Sequence, residues 1–294
     1  MTLANGGYYK KCSFIEYITT KNGEIIKNIT QNSTKVESEE VSYLMTDMLY
    51  GVVKNGTASI LNTPKYKIAS KTGTVQNATD SKYNNDLWNV SYTSKNTLCV
   101  WLGNASNGID TALSNGYTAG VYPTRIAKVI YDKIYSDNAP SDIPIPKDIA
   151  YLPYSKTAYD IDHNLVLANE FFTKEEIYED IFNTKTLPSV SDRENVSVDL
   201  SSFSVSVVKN APKITFDTVK GVNYTIMRTS LLNNGWQNLA QVDGDGKTHE
   251  FVDKVYGGQD YIYKVEAYVI NYTGDKVYLE SSNEYIVSIG YELW

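Results

Sequence analysis

The sequence predicts an α+β chain in two parts, an antiparallel sheet with packed helices followed by an all-β sandwich. Three observations lead there. Two stretches, 38–53 and 123–135, repeat apolar residues at helical spacing, with strand-like runs between them. From residue 196 onward there is only period-two alternation broken by turn signals. Between these regions, residues 186–195 are polar, contain Pro188 and read as a linker. The expected domains are therefore 1–185, the linker 186–195, and 196–294.

The elements follow in order. Ser13 to Thr20 and Glu24 to Ile29 read as a hairpin closed by a two-residue Asn22-Gly23 turn. In the first helix Val41, Leu44, Met45, Met48, Leu49 and Val52 form one stripe, expected to face the core. Ser38 is its N-cap, Glu39 and Glu40 occupy the first turn, and Asn55-Gly56 ends it. Three strands are expected at 66–75, 87–92 and 97–103, the last two antiparallel across a polar turn at 93–96. The second helix has Pro123 at its start and sets Ile126, Val129, Ile130 and Ile134 on one side. Prolines at 140, 144, 146 and 153 then give an extended segment. Thr173 and Glu176 form a capping box that reads as a further helix entry. In the last hundred residues Tyr261, Tyr263, Val265, Ala267 and Val269 alternate with polar neighbours, as do Val222, Tyr224 and Ile226. Turn signals at 233–235, 243–246 and 257–258 separate about seven short strands, the spacing of a β-sandwich.

Composition narrows function by exclusion. With 27 Lys and Arg against 34 Asp and Glu the net charge is -7, which argues against a nucleic-acid binder. No apolar run is long enough for a membrane span. Residues Met1 to Gly7 have no basic or apolar leader pattern, and the chain is expected to start within a larger unit. Cys12 and Cys99 are expected as free thiols acting as small apolar residues. His163 and His249 stand far apart without clustered ligands, so neither a His metal site nor a Ser-His-Asp triad is expected, and no cofactor is implied. Asp243-x-Asp245 starts like a calcium loop, but Lys247 takes the third ligand position and two tight turns are expected instead.

Lys71-Thr72-Gly73-Thr74 interrupts an otherwise ordinary strand with a cation, two hydroxyls and a residue without a side chain. Alone, this fits an edge strand protected by Lys. Its company is more specific: Ala4-Asn5-Gly6-Gly7-Tyr8-Tyr9, Gly56-Thr57-Ala58, the Trp-bearing runs 86–93 and 97–104, Pro123-Thr124-Arg125-Ile126, and the tail to Phe171-Phe172. This ordered set resembles the C-terminal half of the penicillin-binding transpeptidase domain, above all that of the bifunctional class A proteins. The resemblance covers residues 1–185 and implies a partial serine β-lactamase-like sheet. Residues 196–294 resemble a fibronectin type III or immunoglobulin-like module, of the kind appended to class A proteins of Gram-positive bacteria.

The resemblance implies acyl transfer by a serine D,D-transpeptidase, with a peptidoglycan stem peptide or a β-lactam as ligand, in the extracytoplasmic cell envelope. It implies substrate-binding roles for four residues. Lys71 draws the substrate carboxylate, Thr72 adds a hydrogen bond, Gly73 leaves room, and the Thr74 amide is one oxyanion donor. The family's other motifs, S-x-x-K and S-x-N, come before K-T-G in chain order. No S-x-x-K precedes Lys71 here, and Ser206 to Lys209, Ser94-Lys95-Asn96 and Ser136-Asp137-Asn138 all follow it. No catalytic nucleophile is therefore assigned, and the chain is expected to be a fragment, not competent alone. The alternative is a non-enzymatic module that holds cell wall or protein through its sandwich, where Trp236 and the tyrosines offer stacking surfaces. A free-standing β-lactamase or carboxypeptidase meets the same lack of a nucleophile.

Overall fold

The computed structural model describes residues 2–30, 32–106, 108–114, 116–193, 196–231 and 233–290. Glu194 and Asn195 of the expected linker, Met1 of the first expected domain and residues 291–294 of the second lie outside the described residues. The chain divides into two compact units, residues 1–150 with 181–186, and residues 151–180 with 187–294. The excursion 151–180 falls within the range that sequence assigns to the first domain, and it groups with the second unit.

The first unit opens with β1 (Tyr8–Lys10), β2 (Tyr17–Thr19), β3 (Ile25–Asn28) and β4 (Ser33–Lys35). Strands β1 and β4 pair, as do β2 and β3, both antiparallel. Gly7, at φ +88°, is held by close approach, because a Cβ there would lie 2.1 Å from the Glu37 carbonyl. The β2–β3 hairpin is shorter than predicted and its loop is wider. Thr20 N–H donates to Glu24 O, leaving Lys21 to Gly23 as a three-residue loop with Gly23 left-handed.

Helix α1 (Glu39–Asn55) is capped by the Ser38 hydroxyl, which accepts from Val41 N–H at 3.1 Å, and it ends at Gly56. Its orientation corrects the sequence expectation. Of the predicted stripe Val41, Met45 and Met48 face solvent and Leu44, Leu49 and Val52 are half-buried, Val52 against the core, while Ser42, Tyr43, Thr46 and Val53 are buried. Helical spacing located a stripe, but the helix carries a second face, of small and hydroxyl-bearing residues, and that face packs on the sheet. Thr46 Oγ1 lies 2.9 Å from the Tyr92 hydroxyl there.

The sheet itself comprises β5 (Ala69–Gln76), β6 (Tyr83–Tyr92), β7 (Thr97–Gly103) and the short β8 (Leu113–Ser114), in order β5-β6-β7 with β8 also on β6. All pairings are antiparallel. The predicted turn at 93–96 is present, with Thr93 N–H donating to Asn96 O. Helix α2 (Tyr122–Ile134) has Pro123 in its first turn. Here too the predicted stripe is turned outward. Ile126, Val129 and Ile134 are exposed, and Pro123, Thr124, Ala127 and Tyr131 are buried. Ala127 lets the helix approach the sheet, and Tyr131 and Tyr135 join Val53, Leu61, Ile68 and Val100 in one core. Cys99 is free as expected but exposed, on the outward face of β7.

Strands β9 (Ile149–Ser155) and β10 (Ile177–Asn183) pair, with α3 (Lys156–Asp162) between them. The capping box at Thr173 forms, Thr173 N–H donating to Glu176 Oε2 at 2.9 Å, but it caps only a 3-10 turn. The chain enters β10 at once, although Ile177, Tyr178, Ile181 and Phe182 fall at helical spacing, because the segment pairs with β9. Residues 187–193 run back along the same unit. Asn169 Nδ2 donates to Ser191 O and Arg193 O, and Arg193 pairs with Glu176 at 2.9 Å and covers the Phe172 ring.

The rest is strands: β11 (Ser204–Val208), β12 (Ala211–Asp217), β13 (Asn223–Ser230), β14 (Asn233–Asp243), β15 (Thr248–Val252), β16 (Gln259–Ile270), β17 (Lys276–Ser281) and β18 (Tyr285–Ile289). They form a three-stranded sheet, β11-β12-β15, and a five-stranded sheet, β14-β13-β16-β17 with β18 also on β16. The two sheets share one apolar core in which Ile214 and Phe216 meet Tyr224, Ile226, Tyr263 and Val265. The alternations read from the sequence at 222–226 and 261–269 bury the predicted residues. The turn expected at 233–235 is instead the start of β14.

Candidate functional site

Strand β5 is the edge of the first unit's sheet and pairs only with β6 among the described residues. Lys71 stands opposite Val90, Thr72 opposite Asn89, Gly73 opposite Trp88 and Thr74 opposite Leu87. Alternation divides the four residues between two faces. Lys71 and Gly73 share a face with Trp88, Val90, Cys99 and Trp101, and Thr72 and Thr74 share the opposite one. The outer side of β5 leaves alternate backbone N–H and C=O groups open for an added extended segment.

The local chemistry builds upward from the helix end. Gly56 closes α1 by donating its N–H to Val52 O at 3.1 Å. The next residue, Thr57, reaches β5 and places its Oγ1 2.7 Å from Thr72 Oγ1. Gly120 packs on the backbone of the same residue, where an added Cβ would lie 2.6 Å from Thr57 O. The Lys71 ammonium is exposed and bends back to donate to Thr72 O at 3.0 Å. Gly73 has a negative φ, and a Cβ there would meet only Trp88 Cβ, at an ordinary 3.5 Å. Nothing within the chain therefore requires glycine at 73, in contrast to Gly7.

Behind this edge lies a buried polar row that the sequence reading did not single out. Asn89 is fully buried and donates its Nδ2 to Ser70 Oγ at 3.0 Å and to Thr124 Oγ1 at 3.1 Å. Thr124 in turn donates to Ala119 O at 2.7 Å. This ties the residue before Lys71 to the first turn of α2. Two residues further along β6, Tyr131 donates to Ser91 Oγ at 3.2 Å, and burial pushes the Tyr131 hydroxyl up to about 12. The sequence signal for the row was present: polar Asn89 and Ser91 alternate with Trp88 and Val90 on β6. It reads by default as the solvent face, and the order is inverted.

No serine hydroxyl bonds to Lys71 or Thr72 among the described residues. Ser94 sits in the β6–β7 turn and donates to Ser141 O, and Asn96 there accepts from Tyr135. Ser206 belongs to β11 in the second unit. Among the described residues no group of three or more His, Cys, Asp or Glu is placed to hold a metal, and no helix is long and apolar enough to cross a membrane.

Residues 1–132 match the penicillin binding protein transpeptidase domain. Among curated proteins, penicillin-binding protein 1F of Bacillus subtilis is 36% identical over 129 residues, 44% of this chain and 18% of its own. Penicillin-binding protein 1A of Streptococcus oralis is 30% identical over 149 residues, covering 47% and 22% of the two chains. Penicillin-binding protein 1A of Clostridium novyi is 24% identical over 207 residues, covering 68% and 22%. The chain thus spans about a fifth of the length of these relatives. Among solved structures, PBPA of Mycobacterium tuberculosis overlaps 45% of this chain and 30% of its own at 21% identity, with a TM-score of 0.35.

Proposed function

We propose that residues 1–185 are the substrate-recognising, C-terminal half of a peptidoglycan D,D-transpeptidase domain of the class A penicillin-binding type, which acts in the extracytoplasmic cell envelope. The observation that carries this is Lys71-Thr72-Gly73-Thr74 on the free edge of β5, within the 1–132 match. An exposed ammonium beside an open strand edge suits a peptide that ends in a carboxylate, or a β-lactam carrying one. The Thr57–Thr72 hydroxyl pair holds the Thr72 oxygen at the strand so that it meets the ligand without reorganising. The tolerant surroundings of Gly73 support its use as space for a ligand outside the chain.

In this reading Lys71 and Thr72 bind the carboxylate, and the Thr74 amide polarises the scissile carbonyl. The attacking serine and its base, S-x-x-K and S-x-N, are not supplied by residues before Lys71, so the chain does not complete acyl transfer by itself. The test is incubation with a fluorescent penicillin followed by a denaturing gel. The expected outcome is no covalent band from this chain, and a stable adduct on any of its serines overturns the reading.

For residues 196–294 we propose a fibronectin type III or immunoglobulin-like β-sandwich. The strand order, β11-β12-β15 against β14-β13-β16-β17, supports it. So does Tyr261, near the start of β16, whose hydroxyl donates to the Tyr256 carbonyl five residues upstream, the corner such sandwiches use.

A further inference from the structure

The outer face of the second unit's five-stranded sheet carries aromatic rings where a solvated face ordinarily carries small polar residues. Trp236, Tyr268 and Tyr278 stand there with Lys264 and Glu266 between them. At one margin, a bulge at Ala267/Tyr268 shifts the register between β16 and β17. It opens a depression of about 570 Å³, lined by Glu266, Tyr278, Leu279, Glu280 and Ser281. Bulges commonly re-aim side chains at such places.

The groups in this depression differ in availability. Tyr268 is covered, with Lys276 Nζ 4.2 Å from its ring centroid. Tyr278 lies 6.3 Å from it, tilted by 52°, and is 63% exposed, with no cation over it among the described residues. Lys264 is engaged twice, by Glu266 at 2.6 Å and by the Trp236 ring at 4.6 Å. It neutralises Glu266 and leaves that carboxylate's other lone pairs to accept. Glu280 has no ion pair among the described residues, and the Ser281 N–H orients its Oε1 at 3.2 Å. The depression therefore offers a flat, electron-rich ring, two carboxylates as acceptors, and a hydroxyl.

That combination fits one ligand chemistry. Sugar rings present a face of C–H bonds that packs on an aromatic ring, and hydroxyls that donate to carboxylates. Lys264 is paired with Glu266, and Lys276 lies over Tyr268 and outside the lining, so an anionic polymer entering the depression meets two glutamates. We propose that this depression is a binding site for a neutral, uncharged glycan, with Tyr278 as its platform and Glu280 as its main acceptor. This is independent of the transpeptidase reading, because no residue of the first unit takes part.

The experiment is an NMR titration of the isotopically labelled full chain with chitotetraose, and separately with dextran sulfate as the anionic probe. The expected result is saturable shifts at the amides of Tyr278, Leu279, Glu280 and Ser281 with chitotetraose alone. Tyr278→Ala should weaken binding by at least about tenfold, and Glu280→Gln by less, with the remaining spectrum unchanged to show an intact fold. The proposal is overturned by absence of saturable shifts, by shifts confined to other residues, by unchanged affinity in Tyr278→Ala, or by tighter binding of dextran sulfate.

Discussion

The two units treat the same kind of apolar pattern in opposite ways. In the second, each residue of the alternating runs 222–226 and 261–269 that the pattern assigns to the core is buried. In the first, the clearest helical stripes point away from the core: Met48 and Val129 are each 68% exposed, and Phe14 beside the first hairpin is fully so. Two sheets facing each other satisfy their own inner faces. In the first unit the sheet packs on the other faces of its helices, where the apolar cluster of Val53, Leu61, Ile68 and Val100 is joined by hydrogen-bonded Tyr131, Tyr92, Thr46 and Asn89. Apolar spacing marks surface that wants a partner and leaves open whether the chain supplies one.

The sharpest way to break the contrast is to disrupt the second unit where it does bury charge. Asp253 accepts from Arg228 at 2.7 Å and from the Tyr263 hydroxyl at 2.8 Å, and is itself buried. Replacing it with Ala strands a guanidinium beside the core. Asp253→Ala should lower that unit's stability by about 3–5 kcal/mol. Hydrogen exchange of β13 and β16 amides in increasing urea is the measurement, and a loss under about 1 kcal/mol would mean that solvent already reaches the pair.

The first unit should respond to alkali through Tyr131. Its folded hydroxyl titrates near 12, raised by burial above the ordinary value of 10.0 and only partly offset by the bond to Ser91. The folded state therefore keeps the proton where the unfolded chain releases it. This contribution is complete below pH 10 and is lost as pH rises through 10 toward 12. Tyr131→Phe should flatten the alkaline limb of the first unit's stability curve, read from the emission of Trp88 and Trp101 on its sheet. A limb that keeps its slope would assign the effect to Tyr50 or Tyr92, which burial also raises.

What the sequence disclosed follows from the same physics. Strand positions 97–103, the hairpin turn after β6, the Ser38 cap and the buried alternation of β16 are set by local geometry, and all are legible. The K-T-G strand was legible as an interrupted strand and its edge position was one stated option. The polar row of Ser70, Asn89 and Thr124 was not, because its meaning depends on which face of β6 meets α2, a tertiary fact. The outward stripes of α1 and α2 failed for the same reason. Each helix has two faces able to pack, and period alone does not choose between a stripe of Ile and Met and one of Ala, Thr and Tyr. The capping box at Thr173 shows the converse limit. Its hydrogen bonds form as written, and the following residues still prefer a strand.

The smallest expected effect is the most discriminating. If the stripes of α1 and α2 have no cover in this chain, polar replacements on them remove little. Met48→Gln and Val129→Thr should each change the stability of the first unit by no more than about 0.5 kcal/mol. A buried residue in the 3-10 turn Ser59–Leu61, just after α1, supplies the control. Leu61→Ala should cost about 2–5 kcal/mol, because Leu61 is fully enclosed with Ala58, Val53 and Tyr131. Both sets are compared by urea unfolding of the whole chain, followed by Trp88 and Trp101. Should Met48→Gln approach the cost of Leu61→Ala, the stripe is covered in solution. Dilution then separates the sources of cover: a concentration-dependent midpoint means a second copy, and a constant one means contact within the chain. Near-zero cost at 48 and 129, beside a large cost at 61, would establish that the outward positions of the first unit's most regular apolar pattern contribute nothing to holding this chain together.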